Sequence, residues 1–256
     1  GQYSRAMDQK SLSINLRDRY GPKEFCYPLF GQDAATNVYS ELVLRNAGQD
    51  GSHAHLRDAF VARTIKGQAD VDFMDYRPVV VYINGEYYGL YDLREKICES
   101  YVSNRTGADE DTIDMIKGES ILMSGSLTAY KELLQYVKTH DLSKQENYDH
   151  VASLVDVDEL IDYWIAISFF GNTDTGNIKF YRERADGAKW RWVVFDQDWA
   201  LWPGTHTWNM VEEIINPNGH GVGHMFSTDL MRGLMHNTAF RDKFISTYGT
   251  RLKTTY

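Results

Sequence analysis

The sequence predicts an α+β protein, with a β-rich segment of about 95 residues ahead of a mainly helical one. Three observations predict it. Period-two alternation and β-branched runs gather before Glu95. Helical apolar periodicity gathers after it. The stretch 171-GNTDTGNIKFYRERADGAKWRWVVFDQDW-199 then interrupts the helical part with a hairpin, two apolar arms around a charged turn.

Residues 11–16, SLSINL, alternate polar and apolar and predict a strand; ELVLR at 41–45 predicts another. In HAHLRDAFVARTIK, 53–66, Leu56, Phe60 and Ile65 fall at helical spacing, and Gly67 is a stop signal. Asn46, Gly48 and Asp50 form a turn ahead of it, with Asp50 or Ser52 as the helix cap. Arg45, Arg57 and Asp58 make the same stretch densely polar. RPVVVYINGEYYGLYDL, 77–93, predicts a hairpin, because β-rich arms flank Asn84-Gly85, a strong short turn signal. A helix is expected to begin within 95–104, followed by the acidic loop GADEDTID at 107–114. Helical periodicity returns at 126–139 and 156–170, and LIDYWIAISFF in the second is apolar enough for a core helix. Residues 203–224 read as irregular and 227–254 as closing helices. No internal repeat or low-complexity tract appears. The change of texture places a boundary near residues 94–100.

At 256 residues the chain suffices for one large domain or two small lobes, and 43% hydrophobic residues can fill a sizeable core. The net charge of -9 argues against a general nucleic-acid or anionic-membrane surface, yet leaves room for a local basic pocket. No apolar run approaches the roughly 18 residues of a spanning helix, so no integral membrane segment is expected. No leader is visible at Gly1, and the abrupt opening reads as a trimmed or processed chain. Cys26 and Cys98 lack metal spacing; they read first as free thiols, with one disulfide as the alternative.

The hairpin carries the chemistry. Asn172, Asp174 and Asn177 precede one arm, and Asp196 and Asp198 follow the other. Folding the hairpin brings the two sets together. Magnesium takes one or two carboxylates plus an amide oxygen and leaves positions for phosphate and water. Phosphoryl transfer needs that metal, a carboxylate to orient the attacking hydroxyl, and an opposing cation. Singly these residues read as turn formers and caps. Together, beside apolar WRWVVF where isolated carboxylates are costly, they read as a site. Lys10, at the start of SLSINL, is a candidate phosphate cation. His206, His220 and His224 lack a zinc-binding frame and read as a surface loop. Asn104-Arg-Thr fits a glycosylation acceptor, relevant only in a secretory setting. No P-loop, GxGxxG or GxSxG is present.

Five stretches resemble the spore coat protein H (CotH) family of atypical protein kinases: SR followed by QKSLSI (Ser4 to Ile14), LRNAGQD…LRDAF (Leu44 to Phe60), VVVYINGEYYGLYDLREKI (Val79 to Ile97), GNTDTGNIKFYRE…WRWVVFDQDWAL (Gly171 to Leu201) and LMRGLMHNTAFRDKFISTY (Leu230 to Tyr248). They span nearly the whole chain.

The resemblance implies an atypical kinase-like, two-lobed fold in one domain over 1–256, with a β-rich N-lobe over 1–97 and a mainly helical C-lobe over 98–256. It implies Asp174 as the catalytic aspartate, which orients or deprotonates the acceptor hydroxyl. It makes Lys10 both a catalytic residue and the nucleotide lysine, and places Asp196, Asp198 and Asn177 on the metal. Asn177, Tyr91 and Glu95 join Lys10 around the nucleotide, near a hinge formed by YYGLYDLRE. Asp58 and Glu95 are the candidate acids paired with Lys10. The implied activity is ATP-dependent transfer, with Mg²⁺ or Mn²⁺, to Ser/Thr of a protein substrate. The alternatives are a degenerate surface-binding module on the same fold, or a nucleotidyl or small-molecule phosphotransferase. The family implies an extracytoplasmic setting: bacterial, secreted, cell-surface or spore coat.

Overall fold

The structure, a computed structural model, describes residues 2–118, 120–174, 176–216 and 228–256. It is a mixed α and β fold with several sheets. After a short helix, α1 (Gln2–Ala6), the first part builds an antiparallel sheet. Its order is β1 (Leu12–Asn15), β4 (Glu41–Arg45), β7 (Glu86–Glu95) and β6 (Tyr76–Ile83). The β6–β7 hairpin turns where predicted, because Asn84 and Gly85 both take the left-handed backbone (φ 53° and 85°) that a tight two-residue turn requires. Two short strands, β2 (Phe25–Cys26) and β3 (Val38–Tyr39), pair beside this sheet. Cys26 and Cys98 are free thiols.

Helix α2 (Arg57–Ile65) starts later than its periodicity suggests. Asp50 is the reason. Its buried carboxylate accepts from the backbone N–H of Ala54 (3.0 Å), Leu56 (2.8 Å) and Arg57 (2.9 Å), and from the Arg57 guanidinium (2.5 Å). It thus satisfies donors that the helix start leaves open.

The second sheet runs β5 (Asp72–Phe73), β11 (Arg191–Val194), β10 (Lys179–Glu183), β8 (Ile113–Lys117) and β9 (Ile121–Ser124). β5 joins β11 in parallel; the other pairings are antiparallel. The acidic stretch around 107–114 therefore ends in a strand. Helices α3 (Glu99–Thr106), α4 (Thr128–Thr139), α5 (Gln145–Leu154), α6 (Val157–Phe169), α7 (Met210–Ile215), α8 (Asp229–Leu234) and α9 (Thr238–Thr254) complete the described residues. Among those residues no helix is long and apolar enough to cross a membrane.

Helix α6 is mostly apolar and almost wholly buried, its enclosed Glu159 and Asp162 being held by Trp192 N–H and Arg251. Leu160, Ile161, Trp164, Ile165 and Ala166 are almost fully enclosed, packed with Phe180, Trp190 and Trp192 of the hairpin. Residues from before Glu95 enter the same core: Val61 and Ile65 of α2, and Val71. This shared packing holds the hairpin against α2, beside which the site forms.

Candidate functional site

At the end of β4 the chain makes a tight turn. Ala47 and Gly48 both adopt positive φ (63° and 57°). This aims the next N–H groups at the hairpin: Gln49 N–H donates to Asp198 Oδ2 at 3.0 Å. The Gln49 amide lies between Asp198 and Trp199. With its nitrogen toward the acid, it donates to Asp198 Oδ2 at 2.6 Å and accepts from Trp199 Nε1 at 3.1 Å. The approach is close enough that a Cβ on Gly48 would lie 2.0 Å from Asp198 Oδ2.

Beyond β11, Asp196 takes a left-handed backbone (φ 56°), which Asp tolerates better than bulkier residues. Buried Asp58 of α2 holds the same loop. Its Oδ1 accepts from Gln197 N–H at 3.0 Å, and its Oδ2 accepts from the fully buried Arg94 guanidinium at 2.6 Å. Arg45 lies among the acids. It donates to Asp196 Oδ1 and lies 3.6 Å from Asp58 and 4.0 Å from Asp198. Burial opposes Asp196's charge, but Arg45 outweighs it and holds that carboxyl below its ordinary value. Asp198 goes the other way: burial, then the charge of Asp196, pushes its carboxyl up.

On the other side of the hairpin, Asp174 N–H donates to Asn172 Oδ1 at 3.0 Å, so Asn172 shapes the loop. Asn177 Nδ2 donates to Asp196 Oδ2. Burial, followed by Asp196, raises the Asp174 carboxyl. Lys179 begins β10, donates to the Ile97 carbonyl at 3.0 Å and lies 5.2 Å from the Phe195 ring centre. Burial, and then Lys117 paired opposite it on β8, pushes the Lys179 amine down to about 8.

Of these groups, Arg45, Gln49, Asp174, Asn177, Lys179, Asp196 and Asp198 line one cavity of about 270 Å³, together with Val43, Met74, Ile97 and Phe195. Four of the predicted site residues meet there: Asp174, Asn177, Asp196 and Asp198. Glu95 also lines it, but its carboxylate is engaged by Asp75 N–H (3.0 Å) and Arg105 (2.5 Å).

Lys10 and Tyr91 are not among the cavity residues. The Lys10 ammonium points outward and donates to the Arg5 carbonyl at 2.7 Å, while its own carbonyl accepts from the buried Tyr91 hydroxyl at 2.6 Å. The expected pairing of Lys10 with Asp58 or Glu95 is replaced by Arg94–Asp58 and Arg105–Glu95. The physical reason is that Ser11, next to Lys10 and just before β1, takes the cavity side instead, its hydroxyl donating to Asn46 Oδ1 at 2.8 Å. Sequence reading missed Arg45 and Lys179 as site cations. Of the three histidines, His206 lies in a short turn, and His220 and His224 fall outside the described residues.

Among the described residues no three His, Cys, Asp or Glu side chains converge into a self-sufficient metal centre. The donor set fits magnesium of another kind, in which one or two carboxylates bind the ion and phosphate and water complete the shell. Asp196 and Asp198 would supply the carboxylates, with Asn177 beside them. Burial first, and the charge of Asp196 second, raise the carboxyls of Asp174 and Asp198, so a cation placed between them would favour their charged forms.

A family model described as CotH kinase protein matches residues 1–255. No curated protein matches the chain.

Proposed function

The chain belongs to the CotH kinase protein family, and from that premise we propose that it is an ATP-dependent phosphotransferase acting on Ser/Thr of a protein substrate, on a kinase-like two-lobed arrangement. One observation carries the reading: acids, amide, cations and an apolar wall line a single cavity. Val43, Met74, Ile97 and Phe195 offer an apolar slot for the base. Arg45 and Lys179 offer positive charge to the phosphates, the role expected of Lys10. Asp196 and Asp198, with Asn177, would hold Mg²⁺ or Mn²⁺. The ion would neutralise charge on the phosphate oxygens. Asp174, raised by burial, orients the acceptor hydroxyl and takes its proton as the oxygen attacks.

The test is calorimetric titration of Mg²⁺·ATP into the wild type and Asp196→Ala, followed by intact-mass analysis of an acceptor. Saturable, metal-dependent binding that the variant loses is expected, with phosphate rather than AMP added to the acceptor. Asp174→Asn is expected to bind ATP but not transfer. No binding by the wild type would refute the reading. A second reading rests on Arg45, whose guanidinium already engages Asp196. In a degenerate binding module that pair would be permanent, and metal-dependent ATP binding would be absent.

A further inference from the structure

Three strand ends meet beside the candidate site. β8 ends at Lys117, β10 begins at Lys179, and β11 ends at Val194, just before Asp196. Gly118 N–H donates to the Ile178 carbonyl at 2.8 Å, which ties the end of β8 to the loop carrying Asp174 and Asn177. Lys117 and Lys179 stand directly opposite each other in the antiparallel β8–β10 pairing. Residues so opposed point to one face, with Cβ atoms about 5 Å apart. Val193 continues the row on β11. On this face Met115, Tyr181 and Val193 pack with Ile97 and Phe195. Lys179, Ile97 and Phe195 line the candidate cavity, so Lys117 stands next to it, one strand away.

This pairing is electrostatically unfavourable, because like charges directly opposite on a sheet repel. An acid at position 117 would neutralise Lys179; the sequence places a second lysine there. Among the described residues neither ammonium is paired with a carboxylate, and the Lys179 ammonium donates to the Ile97 carbonyl instead. Both side chains are half-buried, so water does not fully compensate them. Two other cations that line the cavity are committed, Arg45 to Asp196 and Lys96 to Glu41. The uncommitted positive charge beside the acids, among the described residues, is this lysine pair.

The charge of Lys117 reaches the catalytic candidates. Burial and then Asp196 raise the Asp174 carboxyl, and Lys117 opposes them. Burial raises the Asp196 carboxyl, while Arg45 and then Lys117 lower it. Arg45 lies among Asp58, Asp196 and Asp198, whereas Lys117 acts on Asp174 and Asp196. The lysine pair therefore adds positive charge on the Asp174 side, where Arg45 does not supply it.

Building on the kinase reading above, we propose that Lys117 and Lys179 form an anion subsite for the terminal phosphoryl group of the nucleotide, with Lys117 as a further catalytic residue. In the transfer, the acceptor oxygen bonds to the terminal phosphorus as the bond from that phosphorus to its bridging oxygen breaks. The electron pair of the broken bond leaves with ADP, and the acceptor proton goes to Asp174. Negative charge on the outer oxygens of the transferred group is what the two ammonium groups neutralise. The terminal phosphate is the one that must come within reach of the acceptor hydroxyl, and so the one that belongs beside Asp174.

The experiment is calorimetric titration of Mg²⁺·ATP and of Mg²⁺·ADP into the wild type, Lys117→Met and Lys117→Arg. The wild type is expected to bind ATP about tenfold more tightly than ADP, the discrimination a charge-assisted contact to the extra phosphate supplies. Lys117→Met is expected to bind the two alike, with the ADP affinity of the wild type. Lys117→Arg keeps the charge and should retain most of the preference. Removing a like-charge neighbour should leave the urea midpoint of Lys117→Met at or above that of the wild type, which separates this role from a structural one. Four results would each overturn the subsite and leave the kinase reading standing: equal binding of ATP and ADP by the wild type, an ATP preference that Lys117→Met retains, a loss of ADP affinity in that variant matching its loss for ATP, or a lowered urea midpoint. No binding of either nucleotide by the wild type would overturn both.

Discussion

Replacing Gly48 with alanine tests whether the Ala47-Gly48 turn is there to hold Asp198. Gly67 is the control: its φ is 70°, and a Cβ there meets nothing within 4 Å. An L-residue in the left-handed region costs about 1–2 kcal/mol, partly offset by about 0.4–1 kcal/mol of lost freedom in the unfolded chain. Gly67→Ala is therefore expected to cost about 1 kcal/mol. Gly48 shares that strain, at φ 57°, and adds a clash, since its Cβ would lie 2.0 Å from Asp198 Oδ2 and 3.1 Å from Cγ. Asp198 is buried and bonded to Gln49 N–H, so it yields only by breaking that bond. A hydrogen bond to a charged group contributes about 1.5–3 kcal/mol, which brings Gly48→Ala to roughly 2.5–4 kcal/mol. Urea denaturation of both variants measures the difference, and Mg²⁺·ATP calorimetry should show binding lost only in Gly48→Ala. Equal stability costs in the two variants would refute the reasoning.

Other outcomes follow from the same contacts. Asp58→Ala strands the fully buried Arg94 and frees Gln197 N–H, so a loss of about 3–5 kcal/mol is expected in urea denaturation; a loss below about 1 kcal/mol would contradict the network. Lys179→Met should weaken Mg²⁺·ATP binding about tenfold, because it removes a cavity cation, whereas Lys10→Met should leave it unchanged; the reverse result would restore Lys10 to the site. Glu159 is enclosed in α6, where both carboxylate oxygens lie 3.0 Å from Trp192 N–H, and burial raises its carboxyl well above the ordinary value. A raised carboxyl favours the folded state below the unfolded-chain value, and that contribution is lost as pH rises through the folded value. Glu159→Gln keeps an acceptor without the charge, so its denaturation midpoint relative to wild type should climb between pH 5 and pH 8; a constant difference would show that the carboxyl is not raised.

Local chemistry determined much of this protein from sequence alone. Asn84-Gly85 specifies its turn whatever surrounds it, and LIDYWIAISFF is too apolar to lie mainly outside, Phe169 being its one exposed large side chain. The acids of the hairpin were legible because the two arms pair over a short span, which returns Asp174 and Asp196 to one place. The family resemblance was legible because its motifs run the length of the chain.

The rest depended on partners distant in sequence. Strand β5 is two residues long and exists because β11 lies beside it. β8 and β9 were hidden in the same way, since a short strand is stabilised by its neighbours more than by its own residues. The site cations were the main case. Arg45 and Asp196 stand 151 residues apart, and no local spacing announces their contact. A lysine at a strand start looked sufficient, but Tyr91 and Arg5 hold the Lys10 backbone and ammonium outside the cavity. Sequence determined which residues could carry charge chemistry. Tertiary packing decided which of them share a cavity, because electrostatic pairing depends on distance in space, and the fold sets that distance.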